Sequence, residues 1–308
     1  MKDISPSDIE NNLPLSCAQG PKQPVTVGNV EIGGDAVVVM AGPCTIESKQ
    51  QIFSIAEAVK KAGATILRGG VFKPLTFPYG DPLLLSDADS DGENLPRTYI
   101  LSVDEMLTRA EPRYKYFAEA GKTFDLPIVS EVTFSQAVDM MEPYVDMFQI
   151  GYRHMFNMDL LYRLAESKKP ILLKRHYGES IRSLLGVVEH FKARGKNNIV
   201  ICERGVAVPH THNTVSRAVL DIQAIVALNE YAPTIPVIAD PSHSTFKRSY
   251  VTAMSRAAIS AGADGLLIDV HPTPTQAWVD PLQALDYEDF KQLTTELSGL
   301  SKLFGRTL

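Results

Sequence analysis

The stretch that decides the fold is AVVVMAGPCTIES, residues 36–48, in which a short apolar run leads into a loop with a single glycine. Residues 36–40 are apolar at every position, which is typical of a parallel strand buried on both faces. A dinucleotide-binding sheet would place a GxGxxG loop directly after its first strand. The loop here has no such pattern, so the sequence argues against an open, doubly wound sheet.

Seven more apolar runs follow, at residues 64–67, 126–130, 145–150, 170–173, 198–202, 235–239 and 265–270. Amphipathic stretches separate them; the first carries apolar residues at helical spacing from Ile52 to Val59 and is followed by Gly63 as a stop signal. Eight buried strands that alternate with helices predict an α/β fold, a closed (β/α)8 TIM barrel.

Two segments fall outside this alternation. VTVGNVEIGG, residues 25–34, predicts a β-hairpin around Gly28-Asn29 that closes the barrel floor. Residues 81–112, after the second strand, form a long predicted loop that contains DADSDGEN. Because it leaves the C-terminal end of a strand, it should overhang the active site. We interpret the chain as an N-terminal extension, residues 1–24, and a single barrel domain, residues 25–308.

Composition excludes several classes of protein. The chain has 308 residues, of which 44% are hydrophobic and 21% charged, and this is ordinary globular composition. A net charge of -6 leaves no basic footprint for nucleic acid. Cys17, Cys44 and Cys202 form no disulfide framework, and no apolar run reaches the roughly 18 residues of a membrane span. The N-terminus does not read as a secretory signal, so we expect a cytoplasmic enzyme without a membrane partner.

Cations gather where the predicted strands end, the place where barrel enzymes carry their chemistry. They are Arg68, Lys73, Arg153, Lys174 and Arg204. The planar arginine fork suits carboxylate and phosphate oxygens. In an acidic protein this set predicts a small polyanionic ligand such as a phosphorylated carboxylic acid. Ion pairing with Glu131 and Glu203 is the alternative, and both arrangements can coexist.

A second group of strand-end residues could hold a metal ion. It consists of Cys44, His243 and Asp269, with Asp280 or His271 as further candidates. Thiolate, imidazole and carboxylate together suit Mn²⁺, Fe²⁺, Co²⁺ or Zn²⁺. The chain has no CxxC or HExxH motif, so ordinary packing roles stay open on residue types alone.

Seven strings in order carry a family resemblance: GPCTIES, LRGGVFKPLT, IGYRHMFN, LLKR, ICERG, DPSHS and VHPTP. From about residue 25 to the C-terminus, the chain resembles the type I 3-deoxy-7-phosphoheptulonate (DAHP) synthases, especially their compact β subtype. The related 3-deoxy-octulosonate 8-phosphate (KDO8P) synthases share the barrel. The resemblance implies a divalent metal, phosphoenolpyruvate and an aldose or aldose phosphate as partners, and a homo-oligomer.

The resemblance also implies roles for individual residues. The implied metal ligands are Cys44, His243, Asp269 and Asp280. The implied substrate contacts are Arg68 and Lys174 at the phosphoenolpyruvate carboxylate, Arg153 and Arg204 at its phosphate, and Lys73, Thr76 and Glu203. The implied catalytic residues are Lys73, at the enol carbon and incoming carbonyl, Glu131, which positions a water, and His243.

Three departures from the family pattern concern the second substrate and the metal. Leu75 stands where the DAHP synthases carry an arginine that helps to hold the aldose phosphate, and leucine cannot bind phosphate. Asp269 replaces a glutamate, and Tyr152, His154 and Phe156 add bulk. Either Arg97 or Arg113 replaces the lost contact, or the acceptor is a different or unphosphorylated sugar, as in a KDO8P-like or secondary-metabolism synthase.

Two other functions compete with this interpretation. A Schiff-base aldolase would use Lys174 as its nucleophile, which requires a neutral amine. A non-catalytic descendant would bind a ligand only, with Leu75 and Asp269 as signs of lost activity.

Overall fold

The eight apolar runs form eight parallel strands that close into a barrel in the computed structural model, which describes residues 12–86, 98–209 and 218–308. The strands are β3 (Val38–Gly42), β4 (Ile66–Arg68), β5 (Ile128–Val132), β6 (Met147–Ile150), β7 (Ile171–Lys174), β8 (Ile199–Glu203), β9 (Val237–Ala239) and β10 (Gly265–Asp269). Each strand pairs with its neighbour in the sequence, and β10 pairs with β3. The predicted TIM barrel is confirmed, and the strand boundaries shift by no more than two residues.

Helices cover the outside of the barrel. They are α1 (Lys49–Lys61), α2 (Val103–Thr123), α3 (Ala137–Met141), α4 (Met158–Glu166), α5 (Ile181–Lys192), α6 (Ile222–Tyr231), α7 (Pro241–Thr245), α8 (Arg248–Ser260) and α9 (Tyr287–Leu303). Short 3-10 turns lie at Pro82–Leu84, Tyr152–His154 and Pro274–Gln276. The predicted apolar stripe of α1, from Ile52 to Val59, is buried against the barrel, and Ser48 caps the helix by accepting from the Gln51 amide.

The predicted hairpin is present and closes the barrel floor. β1 (Val25–Val27) pairs antiparallel with β2 (Val30–Ile32), and Gly28 occupies the turn with a φ of 58°. A Cβ at Gly28 would lie 2.6 Å from the Pro127 side chain, so this position requires glycine. Val27 and Ile32 are fully buried in one cluster with inward-facing barrel side chains such as Met40.

The segment after β4 is long, as predicted, but its predicted end at Pro112 is wrong. Helix α2 begins at Val103, where Ser102 and Glu105 form a reciprocal capping box, and Pro112 lies inside the helix. The cap fixes the helix start, and the proline forfeits only the backbone hydrogen bond that its missing N–H would have donated. Arg109 and Arg113 are therefore helical residues. Residues 87–97, including Arg97, lie outside the described residues.

Residues 12–24 pack on the barrel next to α5. The Ser16 hydroxyl donates to the Leu185 carbonyl at 2.9 Å, and Leu13 and Cys17 join the main apolar core. The division of the chain at residue 25 stays a prediction. In the ranges that the structure describes, no helix is long and apolar enough to cross a membrane.

We expect the hairpin to contribute to stability through its buried face only. Ile32→Ala should lower the free energy of unfolding by about 2–5 kcal/mol, because it empties a fully buried site. Denaturant unfolding measures the change. Glu31→Ala, on the exposed face of the same strand, is the control and should change stability by about 0.5 kcal/mol or less. Equal effects of the two substitutions would contradict a stabilising role for the buried face of the hairpin.

Candidate active site

A cavity of about 200 Å³ opens at the C-terminal mouth of the barrel. Its lining includes eight of the residues that the sequence analysis selected, namely Lys73, Thr76, Glu131, Arg153, Lys174, Arg204, His243 and Asp280. They come from six different strand ends and from the segment after β10. The barrel thus brings together residues that are more than 200 positions apart in the sequence.

Three candidate metal ligands converge beside this cavity, and two of them, His243 and Asp280, line it. The ligand atoms of Cys44, His243 and Asp280 all lie within 4.8 Å of one another. Cys44 Sγ is 3.1 Å from Asp280 Oδ2, which in turn is 3.7 Å from His243 Nε2. Burial raises the pKa of the Cys44 thiol, so a bound cation would have to displace its proton. This trio fits a borderline divalent ion by donor type and spacing.

Asp269, the fourth predicted ligand, lies beside the trio with both oxygens engaged. Oδ1 accepts from Arg68 Nη1 at 2.5 Å and Oδ2 accepts from Gln283 Nε2 at 2.9 Å. Oδ2 is also 3.5 Å from His243 Nε2. Aspartate is one methylene shorter than glutamate, and here its carboxylate holds Arg68. Ligation by Asp269 stays a prediction.

Asp240, which the sequence analysis did not select, organises the centre of the site. It is fully buried, its Oδ2 accepts from Lys174 Nζ at 2.6 Å, and its carboxylate contacts His243 Nδ1 at 2.9 Å. Burial alone would raise the pKa of Asp240, but His243 and Lys174 outweigh it and hold the pKa well below its usual range. Because Asp240 occupies Nδ1, His243 directs Nε2 towards the other two members of the trio, Cys44 and Asp280. The DPSHS string contained this aspartate.

Arg204 carries a buried donor without a hydrogen-bond partner among the described residues. It is buried and lines the cavity, its guanidinium carbon is 4.2 Å from the centroid of the Tyr152 ring, and its Nη1 has no hydrogen-bond partner among the described residues. Arg153 contacts the same ring and donates to the Pro74 carbonyl and the Thr76 hydroxyl. Buried donors are normally paired, so this unpaired donor makes Arg204 a candidate anion-binding residue.

Two predicted substrate contacts lie behind the cavity wall. Arg68 is buried against Asp269 and the Pro43 carbonyl. Glu203 accepts from Arg175 Nη1 at 2.9 Å and from the Gly205 amide at 2.6 Å, and burial raises its pKa. Neither residue lines the cavity, so their contact with substrate stays a prediction.

Leu75 lies between the cavity and a second, largely apolar groove of about 520 Å³. Phe72, Phe77, Ile100 and other apolar side chains line this groove. His154 also lines it, and burial lowers the pKa of that imidazole. Arg113 points elsewhere: its guanidinium donates to the Pro82 and Leu85 carbonyls.

Fold and site together define a (β/α)8-barrel protein with a candidate metal trio and an anion-binding cavity at one mouth. The chain belongs to the DAHP synthetase I family, whose family model matches residues 12–82 and 108–304.

Individual relatives agree with this membership. A phospho-2-dehydro-3-deoxyheptonate aldolase of Thermotoga maritima is 32% identical over 91% of this chain and 75% of its own length. A 2-dehydro-3-deoxyphosphooctonate aldolase of Koribacter versatilis is 26% identical over 89% of this chain and 95% of its own. The crystal structure of a truncated DAHP synthase of T. maritima superimposes with a TM-score of 0.76 at 29% identity, covering 93% of this chain and 95% of that one.

We expect Asp240→Asn to destabilise the protein at neutral pH by about 3–5 kcal/mol, because it leaves the Lys174 ammonium buried without its carboxylate. The folded-state pKa of Asp240 lies below the ordinary value of 3.8. Its stabilisation is therefore complete above that value and is lost as the pH falls through the folded pKa. The difference between wild type and variant should shrink as the pH falls below about 4.

Urea unfolding at pH 7, 5 and 3.5 measures this difference. Glu57→Gln, in an exposed pair with Lys61, is the control and should change stability by less than about 1 kcal/mol at pH 7. A difference for Asp240→Asn that stays the same down to pH 3.5 would show that the carboxylate is not the origin of the effect.

Proposed function

We propose that this chain is a metal-dependent transferase that condenses phosphoenolpyruvate with an aldose phosphate to give a 3-deoxy-2-ulosonate phosphate and inorganic phosphate. The observation that carries the proposal is the buried, unpaired donor of Arg204, a residue that lines the same cavity as His243 and Asp280 of the metal trio. An anion site next to a candidate metal site is what this reaction needs.

The similarity to known proteins supports the heptonate reaction more than the octonate reaction. The Thermotoga relative named for the heptonate product is 32% identical, whereas the Koribacter relative named for the octonate product is 26% identical. We therefore propose erythrose 4-phosphate as the first acceptor to test.

The cations of the cavity can hold phosphoenolpyruvate by its two charged ends. Arg153 and Arg204 flank the Tyr152 ring and offer planar donors to the phosphate. Lys174 lines the cavity next to them and can meet the carboxylate while Asp240 keeps its ammonium in place. These groups would fix the enol carbon in an attack geometry and stabilise charge that develops at C2.

The bond changes are those of an aldol-type condensation. The enol C3 attacks the aldehyde carbon, a water adds at C2, and the phosphate leaves with cleavage of the C–O bond. When bound, a divalent cation supplies Lewis acidity at the aldehyde oxygen or orients the water.

We propose two side chains for the proton transfers of this reaction. Lys73 lines the cavity with Nζ 2.9 Å from Cys44 Sγ, and it can protonate the aldehyde oxygen. Glu131 also lines the cavity, is held by Gln149 Nε2 at 3.1 Å, and can accept a proton from the attacking water.

The competing functions fit the geometry less well. Lys174 is in a buried ion pair with Asp240, and an ammonium held this way is a poor nucleophile for a Schiff-base aldolase. A protein that only binds ligands has no need for a convergent thiol, imidazole and carboxylate beside its anion site.

The direct test is loss of the enolpyruvyl absorbance and release of phosphate by metal-supplemented protein given phosphoenolpyruvate and erythrose 4-phosphate. We expect turnover that a chelator abolishes and that added metal restores. No binding of phosphoenolpyruvate would refute the proposal.

The phosphate clamp makes a separate prediction. Arg204→Lys keeps the charge but loses the planar fork, so kcat/KM for phosphoenolpyruvate should fall about 10- to 100-fold, the equivalent of one charged hydrogen bond. Steady-state kinetics with varied phosphoenolpyruvate measures it. Arg194→Lys is the matched control, because Arg194 also stacks on a tyrosine ring, that of Tyr162, but does not line the cavity. A similar loss in both variants would contradict a clamp at Arg204.

A second candidate keeps the chemistry and changes the acceptor to an aldehyde without a terminal phosphate. The observation that favours it is Leu75, which lies at the boundary with the apolar groove, while Arg113 is held by two backbone carbonyls. The groove offers apolar contacts where a sugar phosphate would need donors.

We expect Leu75→Arg to raise kcat/KM for erythrose 4-phosphate about tenfold relative to erythrose, because it adds one charged donor at the acceptor side. Competition assays with the two acceptors measure the ratio, and Leu75→Met is the control of similar size. If wild type already prefers erythrose 4-phosphate and Leu75→Arg leaves the ratio unchanged, the acceptor phosphate is bound away from residue 75.

A further inference from the structure

Asp280 is held in the metal trio by a different kind of element from the one that holds Cys44 and His243. Cys44 follows β3 and His243 lies in α7, directly after β9, so the barrel itself places both. Asp280 lies in the segment between β10 and α9, with a φ of 57°. A ligand on such a segment is only as well placed as the contacts that hold the segment.

One carboxylate, that of Glu47, holds this segment on the side of α1. Glu47 Oε1 accepts from the Trp278 amide at 2.8 Å, two residues before Asp280. Glu47 Oε2 contacts His271 Nε2 at 3.2 Å, near the start of the segment. The Glu47 side chain is 11% exposed and that of His271 is 7% exposed, so these bonds are shielded from water.

The hydrogen bonds of His271 determine the direction of this contact. His271 Nδ1 accepts from the Thr273 amide at 3.1 Å, so the ring proton is on Nε2 and is donated to Glu47. The His271 amide donates to the Leu285 carbonyl at 3.0 Å. His271, one of the candidate ligands from the sequence, therefore braces the segment that carries Asp280.

Glu47 is itself fixed at the start of α1. Its amide donates to Gln51 Oε1 at 3.1 Å, and the Gln51 amide donates to the Ser48 hydroxyl at 3.0 Å. Cys44 lies three residues before Glu47 in the same loop. The loop of residues 44–47 thus carries Cys44 and also, through Glu47, holds the segment that carries Asp280.

The other side of the segment is held independently by Arg248. Its amide donates to the Leu282 carbonyl at 2.9 Å, and its Nε donates to the Ala284 carbonyl at 2.7 Å. Asp280 lies between these contacts and those of Glu47. Removing Glu47 would take away both carboxylate contacts on the 271–278 side, where Arg113 still packs on the Trp278 ring, while the C-terminal side keeps its contacts with Arg248.

We infer that Glu47 is a positioning residue of the candidate metal centre, whose carboxylate keeps Asp280 at ligating distance from Cys44 and His243. The inference rests on the proposed function, because that function needs the trio to hold a divalent cation. Glu47 acts through the segment and contributes no ligand atom.

Titration of the metal-free, full-length chain with Co²⁺ tests this role by calorimetry and by the thiolate-to-Co²⁺ charge-transfer absorption. Glu47→Ala should weaken Co²⁺ binding about 10- to 100-fold, the range for groups that orient a ligand. The charge-transfer absorption should persist at saturation, because Cys44 remains in place. Asp280→Ala should weaken binding directly, and the double variant should bind no more weakly than Asp280→Ala alone.

Two further variants separate positioning from a general loss of stability. Glu47→Gln keeps an oxygen for the Trp278 amide and should fall between wild type and Glu47→Ala. Asp264→Asn removes a buried carboxylate that accepts from the Val237 amide and from Lys22 at the opposite end of the barrel. It should lower the melting temperature and leave the Co²⁺ affinity unchanged.

The outcomes distinguish the inference from the proposed function. A Co²⁺ affinity of Glu47→Ala within twofold of wild type, or additive losses in the double variant, would overturn the role of Glu47 alone. A wild-type chain that binds no Co²⁺, or an Asp280→Ala chain that binds it as well as wild type, would overturn the metal trio and Glu47 with it.

Discussion

The site depends on one constraint: a charge buried in the barrel mouth must have a partner of opposite charge. Asp240 pairs with Lys174, Asp269 with Arg68, and Glu203 with Arg175. These ion pairs neutralise the buried charges around the cavity before any ligand binds, and they fix the orientation of each cationic side chain. Among the described cations that line the cavity, Arg204 keeps a buried donor without a partner, and this is the residue that we propose to hold the substrate phosphate.

Much of the fold was predictable because strand burial is recorded locally. A run such as residues 199–202 is apolar at every position, and the barrel follows from eight largely apolar runs and the helices between them. The capping box of Ser102 and Glu105 also marks the start of α2 in the sequence, whereas Pro112 favours a loop there. A helix cap and an internal proline compete, and their balance depends on packing that the sequence does not display.

The site was predictable by residue type and less so by contact. Four of the five predicted strand-end cations line one cavity together with His243 and Asp280, whereas Arg68 lies behind its wall. Cys44 lies beside His243 and Asp280. The partners were not selected, because Asp240 meets Lys174 across 66 positions and nothing local announces that pair. A carboxylate near several cations can pair with any of them, and only the folded geometry determines which pair forms.

Asp280 is the candidate ligand that lies in the segment between β10 and α9, and this position contrasts with the rigid barrel around it. Each strand end is held by hydrogen bonds to the strands on both sides, so the residues that follow it start from a fixed position. Asp280 instead adopts a left-handed backbone conformation, which a non-glycine residue keeps only where its surroundings hold it. The contacts on either side supply that hold, from Glu47 and from Arg248. Variation in this segment could therefore tune the centre while the barrel and its anion site stay the same.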